Sequence, residues 1–107
     1  MDRPTPRMNA AKLADCQPGQ VVRVVGKVIT LTDDEAILET TDKGQITVRL
    51  DPQTAIQDTF VETIGKYEGD MKIHELISQN LGDSLDLDLA NKVVELSHTL
   101  PEVFPSE

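Results

Sequence analysis

The side chains able to do chemistry in these 107 residues are few and scattered. Serine, aspartate and histidine all occur, but not around a nucleophile elbow, and no phosphate-cradling loop, dinucleotide glycine motif or His-Glu-x-x-His pair is present. His74 and Glu75 are neighbours, so in a strand they point to opposite faces and cannot share a metal. Asp83, Asp86 and Asp88 resemble a calcium loop only superficially. No register supplies acids at its first, third and fifth positions together with its glycine and closing glutamate. Asp86 and Asp88 read instead as carboxylates at the positive end of a helix. Cys16 is the one cysteine, which excludes an internal disulfide and a cysteine metal cluster and fits a reducing compartment. No catalytic residue, metal ligand or cofactor site follows from the sequence, and an enzyme reading has no support.

The remaining chemistry is cationic. Arg23, Lys27, Arg49 and Lys66, with Tyr67, could line a groove that makes weak contact with single-stranded DNA. Two features oppose tight autonomous binding. Phe60, Tyr67 and Phe104 are the only aromatic residues, whereas single strands are gripped largely by stacking bases on rings. The net charge of −9 is also uneven: residues 1–50 hold seven acids and seven bases, while residues 51–107 hold twelve acids against three lysines. That second half repels a polyanion.

Elements must position these groups. Residues 1–20 read as a proline-bearing extended arm, then a short helical turn over 10–14 capped by Asn9 and broken at Pro18-Gly19. Residues 21–85 read as five strands and a linker. Val21–Leu31 is a long β run whose Gly26 suggests a bulge or bend. Residues 36–40 form a second strand. Thr41-Asp42-Lys43-Gly44 follows as a hairpin loop, with Gly44 suited to the left-handed position. Residues 45–50 alternate, with Ile46, Val48 and Leu50 inward. Asp51–Thr59 has room for one short helical turn. Phe60–Tyr67 is a fourth strand that echoes the first, Gly-Lys pair included. Met71–Ile77 is a fifth, and 78–85 reads as a polar linker. An all-β chain of this size with one long bent strand predicts a small closed barrel, the five-stranded Greek-key OB barrel before an SH3-like one, followed by a C-terminal α-helix.

Residues 86–107 hold that helix, from Asp86 to Leu100, stopped by Pro101. Leu89, Val93, Leu96 and Leu100 step by four, three and four, the spacing of a seam between helices. Ala90, Val94 and Ser97 widen one flank. The stripe has two destinations open to it: the open end of its own barrel, or the helices of other proteins. Its position after a polar linker favours a partner. No apolar leader and no 18-residue apolar run occurs, which predicts a soluble intracellular chain without a membrane partner.

Three stretches resemble one family. Pro6-Arg7-Met8-Asn9-Ala10-Ala11-Lys12-Leu13-Ala14 is similar to its Pro-Arg, Asn-Ala opening. The strands ending Val25-Gly26-Lys27-Val28 and Ile64-Gly65-Lys66-Tyr67 are similar to its barrel. The tail from Asp86 to Pro105 is similar to its last helix and proline-aromatic-proline exit. The family is the smallest subunit of replication protein A, the eukaryotic heterotrimer that coats single-stranded DNA. The resemblance implies an OB barrel whose final helix joins helices of the middle and large subunits in a three-helix trimerisation core. It also implies a structural role in DNA replication, repair and recombination in the nucleus, with DNA held mainly by the partners. A small OB subunit of a telomere-capping complex shares the architecture and is the alternative. The scarcity of aromatics departs from a base-stacking role.

Overall fold

The computed structural model describes residues 6–99. Asn9 starts the first compact unit: its side-chain oxygen accepts the Lys12 N–H at 3.0 Å, capping α1 (Ala10–Leu13). The N–H groups of Ala10 and Ala11, also free at a helix start, donate to the Asp42 carboxylate at 3.0 Å each. Just before α1, β1 (Arg7–Met8) pairs in parallel with the next strand. The end of the expected arm is therefore part of the sheet.

The sheet is built on β2 (Val21–Leu31), whose Val22 and Val24 side chains are buried while Lys27 is exposed. It pairs antiparallel with β3 (Glu35–Thr40), which pairs with β4 (Gln45–Arg49). After a long connection come β5 (Phe60–Gly69) and β6 (Lys72–Asn80), an antiparallel pair. β6 runs parallel to β4, and β5 returns antiparallel to β2. That last pairing closes five strands into a barrel with no free edge strand among them, the OB topology. The echo between the first and fourth strands has a geometric meaning: β2 and β5 are the seam. Gly26 and Gly65 lie where neighbouring strands crowd them. A Cβ on Gly26 would sit 2.8 Å from the Glu39 carbonyl, and one on Gly65 would collide with that of His74.

Several local expectations change. The irregularity in β2 falls between Val28 and Thr30, not at Gly26, whose missing side chain serves close approach instead. In the 41–44 loop Lys43 takes the left-handed conformation (φ 70°), while Gly44 is needed because a Cβ there would strike that of Ala10. Residues 51–59 form turns without a helix. Their backbone N–H groups are taken by side chains from elsewhere: Asp51 donates to Glu75, Gln57 and Asp58 to Asn80, and Thr59 to Asp83. The fifth strand runs three residues past Ile77 to Asn80, because Ser78, Gln79 and Asn80 continue the ladder with β5 and the Ser78 and Thr63 hydroxyls bond at 3.0 Å. The polar linker shortens accordingly, and α2 (Leu87–Thr99) follows it.

Candidate helix interface and outward barrel face

Asp86 starts α2 as expected, accepting the Leu89 N–H at 3.1 Å. One face of the helix then docks on its own chain. Leu87, Val94 and Ser97 are buried, and between them Asn91 meets polar groups of the barrel. Asn9, which is 0% exposed, donates through Nδ2 to Asn91 Oδ1 at 2.8 Å and to Glu95 Oε2 at 2.9 Å. The Thr41 hydroxyl donates to the same Asn91 oxygen at 2.9 Å. His98 Nε2 bonds the Arg7 carbonyl, and Lys12 pairs with Glu95 at 3.5 Å. These bonds tie α2 to β1, to α1 and to the 41–44 loop.

The other face is open. Leu89 is 60% exposed and Leu96 41%, with Val93 half-buried between them. The predicted seven-residue interface therefore divides. Leu89, Val93 and Leu96 form an outward stripe, and Ala90 lies half-buried between it and the docked side. Val94 and Ser97 face the barrel, so the flank expected to widen the seam is consumed by the chain itself. Leu100 and the Pro101–Pro105 exit lie outside the described residues. Of the two destinations considered for the helix, its own chain takes one side, and the apolar stripe on the other side is left exposed.

The cationic set also divides. Arg49, His74 and Lys66 stand in register across β4, β6 and β5, which puts them in one outward row. Arg49 is engaged by Glu68 at 3.1 Å. Arg23 lies on the outward side of β2, half-buried, and Lys27 further along it is exposed. Tyr67 leaves the set altogether. It is 5% exposed, sits in the core, and accepts the Met71 N–H on its hydroxyl at 3.2 Å. Lys66 and Tyr67 are consecutive in a strand, so only one of them can face outward. Phe60 is buried too, which leaves no exposed aromatic ring among the described residues. The outward side chains of β3 include Glu35 and Glu39, so one of the two strands that bind oligonucleotides in many OB folds carries acids here, while β4 carries Arg49.

The other candidate chemistry resolves into structure. Asp83 accepts the Thr59 N–H and hydroxyl, and these two bonds hold its carboxyl below the ordinary range. Asp86 caps α2, and Asp88 pairs with Lys43 at 3.7 Å. Among the described residues no three histidine, cysteine or acidic side chains gather as a metal site. Burial, helped by Asp15, raises the Cys16 thiol, which keeps it in the unreactive protonated form. His74 and Glu75 do point apart. Glu75 is buried and accepts from the Asp51 N–H at 3.0 Å and from the Thr54 and Ser78 hydroxyls. Sequence reasoning missed Glu75 and Asn91. Their signals were an acid at an inward strand position and an amide in the middle of a helix's inner face.

The geometry defines an OB-fold protein with an appended C-terminal helix that is docked on one side and apolar on the other. The sequence model of the family described as Replication factor A protein 3 matches residues 1–104, and the chain belongs to that family. It is 27% identical over 104 residues to Replication factor A protein 3 of Schizosaccharomyces pombe, covering 97% of this chain and 98% of that one. Among solved structures it is similar to a chain of U. maydis replication protein A bound to single-stranded DNA. That match has 31% identity, covers 100% of both chains and has a TM-score of 0.91. A chain of the S. pombe Stn1–Ten1 complex shares the fold at 16% identity, with 94% of this chain and 97% of that one covered and a TM-score of 0.76. The last is a likeness of fold alone, and the family match decides against the telomere-capping alternative.

Proposed function

We propose that this chain is the structural subunit of a heterotrimeric single-stranded-DNA-binding complex acting in DNA replication, repair and recombination in the nucleus. It assembles with the middle and large subunits through the outward stripe of α2 and is not an enzyme. The observation that carries the reading is the pair Leu89 and Leu96, large apolar side chains left exposed on a helix whose opposite side is already docked. Covering Leu89, Val93 and Leu96 with partner helices stabilises association by roughly 2–4 kcal/mol gross, since full burial is worth about 1.5–3 each and all three are already partly covered. DNA affinity of its own is small, for three reasons: the buried aromatics, the acids on β3, and the acidic second half.

The test is co-expression with the two larger subunits. Leu89→Asp with Leu96→Asp alters exposed positions, so the barrel should stay folded while association weakens on the order of a hundredfold or more. Undiminished co-purification of that double variant would remove the interface. Fluorescence anisotropy of the isolated chain with a labelled oligonucleotide should show binding no tighter than about micromolar at physiological salt. Submicromolar, salt-sensitive binding would instead make the Arg49–His74–Lys66 row an autonomous site.

A further inference from the structure

Helix α2 carries two apolar stripes, and nothing in their relative hydrophobicity explains which one faces the barrel. At 100° per residue, Leu87, Asn91 and Val94 with Ala90 and Ser97 define one side, and Leu89, Val93 and Leu96 another, about 120–140° around the axis. The inner side holds one leucine, one valine, two small residues and an amide. The outer side holds two leucines and a valine. Burial of apolar area taken alone favours docking the outer side. The observed rotation is the opposite one, and it coincides with the polar bonds. Asn91 Oδ1 receives both Asn9 Nδ2 (2.8 Å) and the Thr41 hydroxyl (2.9 Å), and Asn9 Nδ2 also reaches Glu95 (2.9 Å). Asn9 and Thr41 are 0% and 2% exposed. Rolling the helix to bury Leu89 and Leu96 would strand both of these groups away from water, which buried polar groups do not tolerate cheaply.

We propose that Asn9, Thr41 and Asn91 are positioning residues that set the rotation of α2 and so select which apolar stripe is presented. A buried asparagine fixing register between helices is the nearest physical analogue. The inference rests on the reading of the outer stripe as a partner surface. It adds that the barrel, through this latch, keeps that stripe from folding back on itself.

Thiol modification of the full chain, read site by site by peptide mass, tests it. With the latch intact, a cysteine at Val94→Cys should react at least a hundredfold more slowly than one at Leu89→Cys. Adding Asn91→Ala, which favours the helix itself, should bring the two rates within about tenfold. Thr41→Val, which removes one bond, should fall between. Barrel amides such as Val24 and Leu38 should stay protected from hydrogen exchange throughout. An unchanged ratio in Asn91→Ala overturns the latch, and if that variant fails to fold, an unchanged ratio in Thr41→Val does so. The partner reading fails separately: a collapsed ratio with undiminished assembly of the Leu89→Asp, Leu96→Asp variant keeps the latch and discards the interface.

Discussion

The Asn9 side chain is shared between two helices: its oxygen caps α1 through the Lys12 N–H at 3.0 Å, and its amide nitrogen donates to Asn91 on α2 at 2.8 Å. One residue near the start of the chain therefore organises both a local helix start and a contact 82 positions away.

Asn9→Ala removes the cap and leaves Asn91 and the surrounding buried groups short of a donor. A lost cap costs about 1 kcal/mol, and a stranded buried partner about 1–3 more. The expected destabilisation is about 2–4 kcal/mol, measured as a shift in urea midpoint at unchanged slope. A loss below about 0.5 kcal/mol would place Asn9 among ordinary surface substitutions and contradict its role.

Glu75 gives a second case of a buried polar group with a defined task. Its carboxylate accepts three donors and fastens the 51–59 connection to β6. Glu75→Ala strands the Asp51 N–H and the Thr54 hydroxyl, while Ser78 keeps its bond with Thr63. The expected loss is about 2–4 kcal/mol, with hydrogen exchange at Asp51 rising more than exchange in β2. Glu75→Gln retains an acceptor and should lose less than half as much. Equal losses in the two variants would mean that the oxygen acceptor is not what holds the loop.

How far the sequence carried depends on whether one local pattern dominated. β4 was legible because its unbroken alternation leaves no competing register, and β2 because it is a long β-branched run. The barrel followed from them. Gly44 misled because two demands fall on that loop, a left-handed turn and close approach to Ala10, and Lys43 meets the first so that Gly44 can meet the second. The end of β6 was hidden by its polar residues, which are held by pairing with β5 instead of by burial. Tyr67 was legible in principle: the parity that separates His74 from Glu75 also separates Lys66 from Tyr67. The two sides of α2 were not. The four-three-four spacing of Leu89, Val93, Leu96 and Leu100 is stronger than that of Leu87, Asn91 and Val94. Which side is covered depends on Asn9 and Thr41, both remote in sequence.

Acid should loosen the same corner of the molecule. Burial pushes the Asp42 carboxyl up, but the Thr40 hydroxyl and the Ala11 and Ala10 N–H groups outweigh this and hold it below the usual range. A folded value below the unfolded one means that the native state binds this proton less readily. The contribution is therefore fully present above the unfolded value of about 4 and is lost as pH falls through the folded value. Asp42→Asn cannot titrate, so the excess of wild-type urea midpoint over that variant should be level from about pH 7 to pH 5 and shrink below pH 4. A difference that holds steady or widens on acidification would contradict the sign. Thr41 adjoins Asp42 and bonds Asn91, so protonating Asp42 releases α1 and weakens the seat of α2 together. Faster modification of a Val94→Cys thiol should accompany the shrinking difference in stability, once its rate is normalised to that of Leu89→Cys at each pH.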